Sequence, residues 1–532
     1  MMDRRTFLKA AALGTVILHN PGRLMSSPKA LYDYFSVHPF IDQNPDAVFI
    51  MHTNVDAKTN GEAIKQAAMD FGRSVFVNTN DAATGIPLSK LIAMKPNLTS
   101  RGTWMSGYTV EGTMGVITDA YFVEGIIESI KELGINADQF YVREVNGTEN
   151  LTDGGYNDMG RRTGADVRVI GTRVTSLPES SVVWKDVPDG IWFNKIPYLW
   201  PINSPDSWLI NISKFKTHGM GVTLCAKNLQ GSIASKYQQH CTFYSSNMSI
   251  PGDHVQSDAK TVIMDNYNRH VADGVPRWDR PGSTGGIWME TWGTRCLDNN
   301  SVTKPELHVI EGVYGRDGNF VEGPHDGKAK DFMTNVIIFG KNPFHVDNIG
   351  HYLGGHEPGN FGLFHMAIER GQASILNPRD IPVYEWGTDG RATLKPITEF
   401  QRTDLKTYYL QRDYDGQTED KWHLCNEEYD YPATSVKPRR SLEKPESFVL
   451  NQNYPNPFNP TTSIRFTLTG SGRTRIDIYN VHGEVIDRLV DGYLRKGNHL
   501  AVWNSKNFPS GTYYYRIRFG GFSETRKMVL VK

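Results

Sequence analysis

Apolar runs separated by polar, glycine-bearing stretches divide the chain into strand-length and helix-length segments. Ala47–Met51 (AVFIM) is an unbroken apolar run and predicts a buried strand. Gly61–Phe76 has apolar residues near positions 64, 67, 68 and 71, the spacing of one helix face. Leu91–Met94 (LIAM) predicts a second strand that runs into Lys95-Pro96-Asn97. Ala120–Leu133 carries the helical period through Phe122, Ile126, Ile127, Ile130 and Leu133, and Gly134 supplies a stop. Phe140–Val145 predicts a third strand, and Trp208–Ile212 (WLINI) a central one with no charge in it. Strands alternating with helices predict an α/β core whose sheet is mainly parallel or mixed. Beyond residue 448 the period changes to two. Thr474–Tyr479, Glu484–Leu489, His499–Trp503 and Thr512–Phe519 alternate between turns at Gly483, Gly497, Gly511 and Gly520-Gly521, which predicts a small all-β antiparallel sandwich.

A chain of 532 residues exceeds one ordinary core. Its formal net charge of −1 gives no basic excess for nucleic acid and no acidic excess of the kind that keeps a chain disordered. The four cysteines, Cys225, Cys241, Cys296 and Cys425, have no C-x-x-C spacing, so there is no iron–sulfur or zinc-ribbon motif. Disulfides remain open for an exported chain, with Cys225 and Cys241 nearest in sequence.

Both ends carry export signals. Residues 1–30 begin MMDRRTFLKAAALGTVIL: paired arginines precede an apolar run too short to span a bilayer, as in a signal peptide of the twin-arginine type. No transmembrane segment is expected in the mature chain. At the other end, Asn453–Thr462 (NYPNPFNPTT), Ile478–Val485 (IYNVHGEV), GTYYY and the terminal KMVLVK together resemble the type A C-terminal sorting domain of the type IX secretion system. The leader implies the twin-arginine translocase as a partner, with an ordinary Sec signal as the alternative; the sorting-domain resemblance implies a diderm bacterium, the type IX machinery as a partner, and a protein attached to the cell surface or secreted. Residues 415–447, rich in charge and proline, are expected to link an α/β domain over 40–414 to the sorting sandwich over 448–532.

The chemistry concentrates in KFKTHGMGVTLCAKNLQG, residues 214–231. With Trp208–Ile212 as a strand and a helix expected from Thr223 to Leu229, the cluster falls at a strand's carboxyl end and a helix's amino end. Open α/β sheets bind ligands there, and helix N–H groups favour anions. Lys214, Thr217, Thr223, Lys227 and Asn228 are therefore expected to bind an anion, joined by Lys95 and Asn97 from a neighbouring strand end. Lys216 and His218 are the candidate catalytic pair, His218 as a proton carrier. Loop carboxylates at Glu311 and Glu322, and Asp347 four residues before His351, are further candidates.

Lys95–Asn97 (KPN), Asp206–His218 (DSWLINISKFKTH), Val222–Gly231 (VTLCAKNLQG), Ile310–Gly315, Glu322–Gly327 and Phe344–Gly350 together resemble DUF362, a family of unknown function. The order of strand, K-x-K-x-H, glycine turn and helix is similar to nickel-pincer lactate racemases at the level of fold alone. Many DUF362 members carry a ferredoxin-like domain, and this chain lacks its ligands.

Ten of the sixteen histidines fall between residues 218 and 365, with His240, His254, His345, His351, His356 and His365 as partners for His218. This leaves room for a metal ion or an inserted cofactor without specifying a ligand set; His351–Glu357 is not H-E-x-x-H. Val110–Gly115 lacks nucleotide-loop spacing, and there is no G-x-S-x-G elbow. The expected function is an exported enzyme acting on a small anion. The alternatives are a surface protein that binds an anion or metal without catalysis, and a structural surface protein, against which the intact lysine set speaks.

Overall fold

The computed structural model describes residues 32–99, 114–145, 147–170, 177–218, 221–234, 254–278, 286–407, 422–431, 448–468, 472–481, 484–494, 497–519 and 522–532. The leader, the turn Gly219-Met220, His240, Cys241, most of the 415–447 linker and the turns at Gly483 and Gly520-Gly521 lie outside these residues.

The core is built on a ten-stranded mixed sheet. Its strands are β1 (Val48–His52), β2 (Leu91–Pro96), β3 (Phe140–Glu144), β4 (Asp166–Val169), β5 (Ser207–His218), β6 (Gly221–Thr223), β7 (Leu307–Arg316), β8 (Asp331–Gly340), β9 (Val383–Trp386) and β10 (Ala392–Leu394). They run in the order β10-β9-β1-β8-β7-β5-β2-β3-β4, with β6 folded back on β5. β5 has parallel neighbours on both sides, β2 and β7, while β8 is antiparallel to β7 and β1.

Helices cover both faces. On one, α1 (Gly61–Val75) and α2 (Ala120–Lys131) bury Ile64, Ala68, Phe71, Phe122 and Ile126 against Met94, Val142, Ile210 and Phe339. Asn60 and Asp119 cap them, accepting from the amides of Ala63 and Tyr121. On the other, α3 (Cys225–Asn228) and α6 (Pro343–Leu353) bury Cys225 and Ile349 against Phe215, Ile310 and Ile338. Beyond them α4 (Ala259–Ala272), α5 (Gly286–Val302) and α7 (Gly362–Glu369) form a layer rich in tryptophan.

The C-terminal module is all-β. Strands Phe448–Leu450, Thr461–Leu468 and Gly497–Asn504 form one antiparallel sheet, and Val485–Leu494, Gly472–Tyr479, Gly511–Phe519 and Phe522–Leu530 another. Their inner faces meet around Ile464, Ile476, Trp503, Tyr515 and Met528. No helix of the described residues is long and apolar enough to cross a membrane.

One ionic contact ties the outer helices together. His270 of α4 lies 2.6 Å from Glu290 of α5 and 2.7 Å from Glu369 of α7. Burial alone would lower its pKa, but the two carboxylates overcome that and raise it to about 9. The imidazolium then donates from both nitrogens. A pKa raised by folding gives stability that is full below the unfolded value near 6.5 and gone above about 9. Thermal melts between pH 6 and pH 10 should therefore show a loss of about 2–3 kcal/mol. The same series on His270→Gln should lack that step; an unchanged pH profile in the variant would remove the clamp from this account.

Candidate functional site

β5 extends further than its apolar run predicts. Lys214, Phe215, Lys216, Thr217 and His218 are strand residues, not a loop, because β7 continues alongside and β6 pairs back, setting Lys216 opposite Thr223. Gly221 makes the return at φ +96°, a conformation that side-chain-bearing residues resist. The expected helix from Thr223 to Leu229 is only four residues of α3, Cys225–Asn228, followed by the 3-10 turn Leu229–Ser232. Its start is already occupied: Asp347 of α6 accepts from the amides of Cys225 (2.7 Å) and Ala226 (2.8 Å). Burial pushes the Asp347 carboxyl up to about 7, and the amides pull it back. The anion at this helix start is the protein's own. Asp347 and His351 do lie four apart on α6, but His351 Nδ1 meets the Asp347 carbonyl at 3.1 Å while the carboxylate faces α3.

The lysines divide into two kinds. Lys214 is fully buried, with Nζ 2.6 and 2.8 Å from the two oxygens of Glu311, its register partner on β7. Nζ also sits 3.2 Å from the centre of the Tyr314 ring, and Tyr314 donates to Asp119 at 2.7 Å. Burial lowers the Lys214 pKa, and burial with the nearby Asp119 raises Glu311 to about 7. Glu311 is a strand residue, not a loop residue as its Glu-Gly context suggests, because β7 continues through two register shifts to Arg316.

Lys95 repeats the pattern. Its Nζ lies 2.6 Å from Glu144 at the end of β3 and 3.2 Å from Asn228 Oδ1. Burial lowers its pKa too. Asn228 joins the strands: its amide donates to Lys95 O (3.0 Å) and Asn211 Oδ1 (2.8 Å), and its oxygen accepts from Asn97 (3.2 Å). Gly231 is required here, since a Cβ would come within 2.2 Å of Glu144 Oε1.

Lys216 and Lys227 have no such partners. Lys216 is 2% exposed. It makes no hydrogen bond or ion pair among the described residues, and its ammonium lies 5.4 Å from the Phe320 ring centre. Its register partner on β7 is Arg316, a cation. Burial, then Lys227, Arg316 and Lys214, hold its pKa well below the ordinary lysine value. Lys227, half-buried on α3, is likewise unpaired among the described residues. His218, half-buried, meets the other edge of the site at the same Phe320 ring, 5.6 Å between centres.

The remaining candidates disperse. The Thr217 hydroxyl donates to Gly318 O at 2.8 Å. Glu322 is exposed on a short strand, Glu322–His325, while Lys95, Lys214 and Lys216 are buried. For Thr223 the backbone pairing alone is described. His345, His356 and His365 bond to the carbonyls of Asp46, Leu405 and Gly359, and His254 stacks on Trp184. Among the described residues no group of three or more His, Cys, Asp or Glu side chains could hold a metal ion. Cys225 and Cys296 are buried free thiols. Sequence reasoning missed Glu144, Asp119, Tyr314, Asn211 and Arg316; all but Asp119 lie in strands whose alternation gives no sign of a polar partner.

Substitution should separate the two kinds of lysine. Lys214→Met leaves Glu311 buried without its cation and should cost about 3–5 kcal/mol, largely recovered in Lys214→Met/Glu311→Leu. Lys216→Met and Lys227→Met remove unpaired cations and should leave the melting temperature unchanged or raised. Denaturant unfolding of the four variants checks this; a comparable loss in Lys216→Met would mean that it too has an internal partner.

Residues 92–351 match the model of DUF362, a domain of unknown function. Residues 452–532 match a secretion system C-terminal sorting domain. Among curated proteins none matches the chain. The sorting domain implies handling by the type IX secretion machinery. The chain thus carries a DUF362 domain joined to a secretion-system C-terminal sorting domain, the signature of a protein exported to the cell surface or the medium.

Proposed function

We propose that the α/β core, over residues 40–414, is an enzyme acting on a small anionic substrate held by Lys216 and Lys227. The observation that carries this is Lys216: a buried lysine with no ion-pair partner among the described residues, whose pKa is pulled down further by the cations Lys227, Arg316 and Lys214. A buried charge without a partner is unfavourable, so an unpaired lysine is driven toward its neutral amine. An arriving carboxylate or phosphate supplies the missing counter-charge. Lys227, less buried, meets the anion first, and Lys216 takes up a proton as the pair forms. His218, beside the same phenylalanine ring, moves the substrate proton.

Proton uptake gives a test with a definite sign. The Lys216 pKa is low in the free protein and rises on binding, so affinity should fall as pH rises above the depressed value. Titration calorimetry with phosphate and acetate, in buffers of different ionisation heat, should report proton uptake. Lys216→Met should abolish the uptake, and Lys227→Met should weaken binding by about tenfold or more. Binding without uptake would place the anion elsewhere. Binding with no turnover of any small anion, unaffected by His218→Ala, would make the core a binding protein.

We further propose that residues 1–30 route the folded protein through the twin-arginine translocase, on the strength of D-R-R-T-F-L-K, and that residues 415–447 join the core to the sorting domain at 448–532. Arg4→Lys/Arg5→Lys should leave the protein in the cytoplasm on fractionation; undiminished export would indicate the general secretory route.

A further inference from the structure

We infer that the anion site continues into a second compartment built around Gln230, and that the ligand is therefore a hydroxyl-bearing organic anion rather than a bare one. The inference rests on the anion site proposed above and adds the class of molecule it takes.

Gln230 lies in the turn Leu229–Ser232, three residues after Lys227. Residues three apart on helical backbone share a face, so its side chain extends from the side of the segment that carries Lys227. It is 1% exposed, and among the described residues neither its amide nitrogen nor its amide oxygen has a hydrogen-bond partner. Two neighbouring amides are also half-satisfied. Asn97 gives its Nδ2 to Asn228, leaving Oδ1 unpartnered and buried. Asn300 of α5 gives its Nδ2 to the carbonyls of Ala226 and Cys296, leaving Oδ1 unpartnered and buried. All three amides belong to or touch the segment Ala226–Gln230, and the turn Leu229–Ser232 packs against β2, β3 and α5.

The chemistry of these atoms selects the ligand. There are three orphaned acceptors, Gln230 Oε1, Asn97 Oδ1 and Asn300 Oδ1, and one orphaned donor group, Gln230 Nε2. Phosphate or a simple carboxylate brings acceptors and few or no donors, so it answers the lysines and leaves the amide oxygens unmet. An amine would bring donors but is repelled by Lys216 and Lys227. A hydroxyl brings a donor and an acceptor without charge. An anion with one or more hydroxyl groups satisfies both parts of the site: its charged head at the lysines, its hydroxyls at the amides.

The full chain should be titrated by calorimetry with matched probes: inorganic phosphate against glycerol 3-phosphate, and acetate against gluconate. The hydroxylated member of each pair should bind about tenfold tighter or more. Gln230→Leu should erase that preference while leaving phosphate affinity within about twofold. Removing an orphaned amide should also leave the melting temperature of the unliganded variant unchanged or raised. Gln230→Met, closer in length, repeats both measurements if the leucine variant does not fold. Equal affinity within each pair, a preference that survives in the folded variants, or variants that all melt lower because the amide was partnered, would each overturn the inference while leaving the lysine site standing. Failure of every probe to bind would instead overturn the anion site, and this inference with it.

Discussion

Lys214 can sit in the middle of a sheet, with no access to water, because Glu311 stands directly opposite on the adjoining strand. An isolated buried ammonium is strongly unfavourable; a close carboxylate and an aromatic face together offset much of that. The pairing holds the register of β5 against β7. Two residues further along, after a register shift, the same strand pair sets Lys216 opposite Arg316. Arg316 is held by Asp331 at 2.6 Å, so its own charge is met from the far side. One strand pair thus produces a satisfied lysine and an unsatisfied one, and the unsatisfied one lies nearer the end of the sheet. The site is a consequence of where the internal carboxylates stop.

Three internal carboxylates set that boundary. Glu311 answers Lys214, Glu144 answers Lys95, and Asp347 answers the amides at the start of α3. Each fixes a segment: β7 to β5, β3 to β2, α6 to α3. Together they immobilise the backbone that carries Lys216 and Lys227 without neutralising either side chain. For the anion site proposed above, such support is preorganisation: little rearrangement of the backbone remains to oppose binding.

How much of this was legible in the sequence follows from how local each interaction is. Helices α1 and α2 and strands β1, β2 and β3 declare themselves, because their burial depends on neighbours three, four or two residues away. The sorting module is legible for the same reason: Thr461–Leu468 alternates exposed and buried along its length. β5 beyond Ile212 is not, since Lys214 and Lys216 look like the polar edge of a loop. Only Glu311, 97 residues away, makes Lys214 a core residue. The partner of Lys95 is 49 residues away, and that of α3 is 122. The motif gathers these lysines but holds no information to sort them into paired and unpaired, because the sorting is done by carboxylates elsewhere. Gln230 is invisible for the converse reason: its distinction is the lack of a partner among the described residues, which a sequence cannot display.

The address and the site are held by separate sets of contacts. The sorting module closes its own core from residues between Leu450 and Leu530, with Trp503 packed between Phe458 and Tyr513. The lysine site draws on strands and helices between residues 91 and 353, whose apolar clusters contain none of those residues. Their apolar cores are therefore separate. The outer helices add a further, independent tie through His270, whose charge is set by Glu290 and Glu369 rather than by any residue of the site. The division is one of packing: the alternating strands of the sorting module close one core, while Glu311 sets the register of β5 within the other.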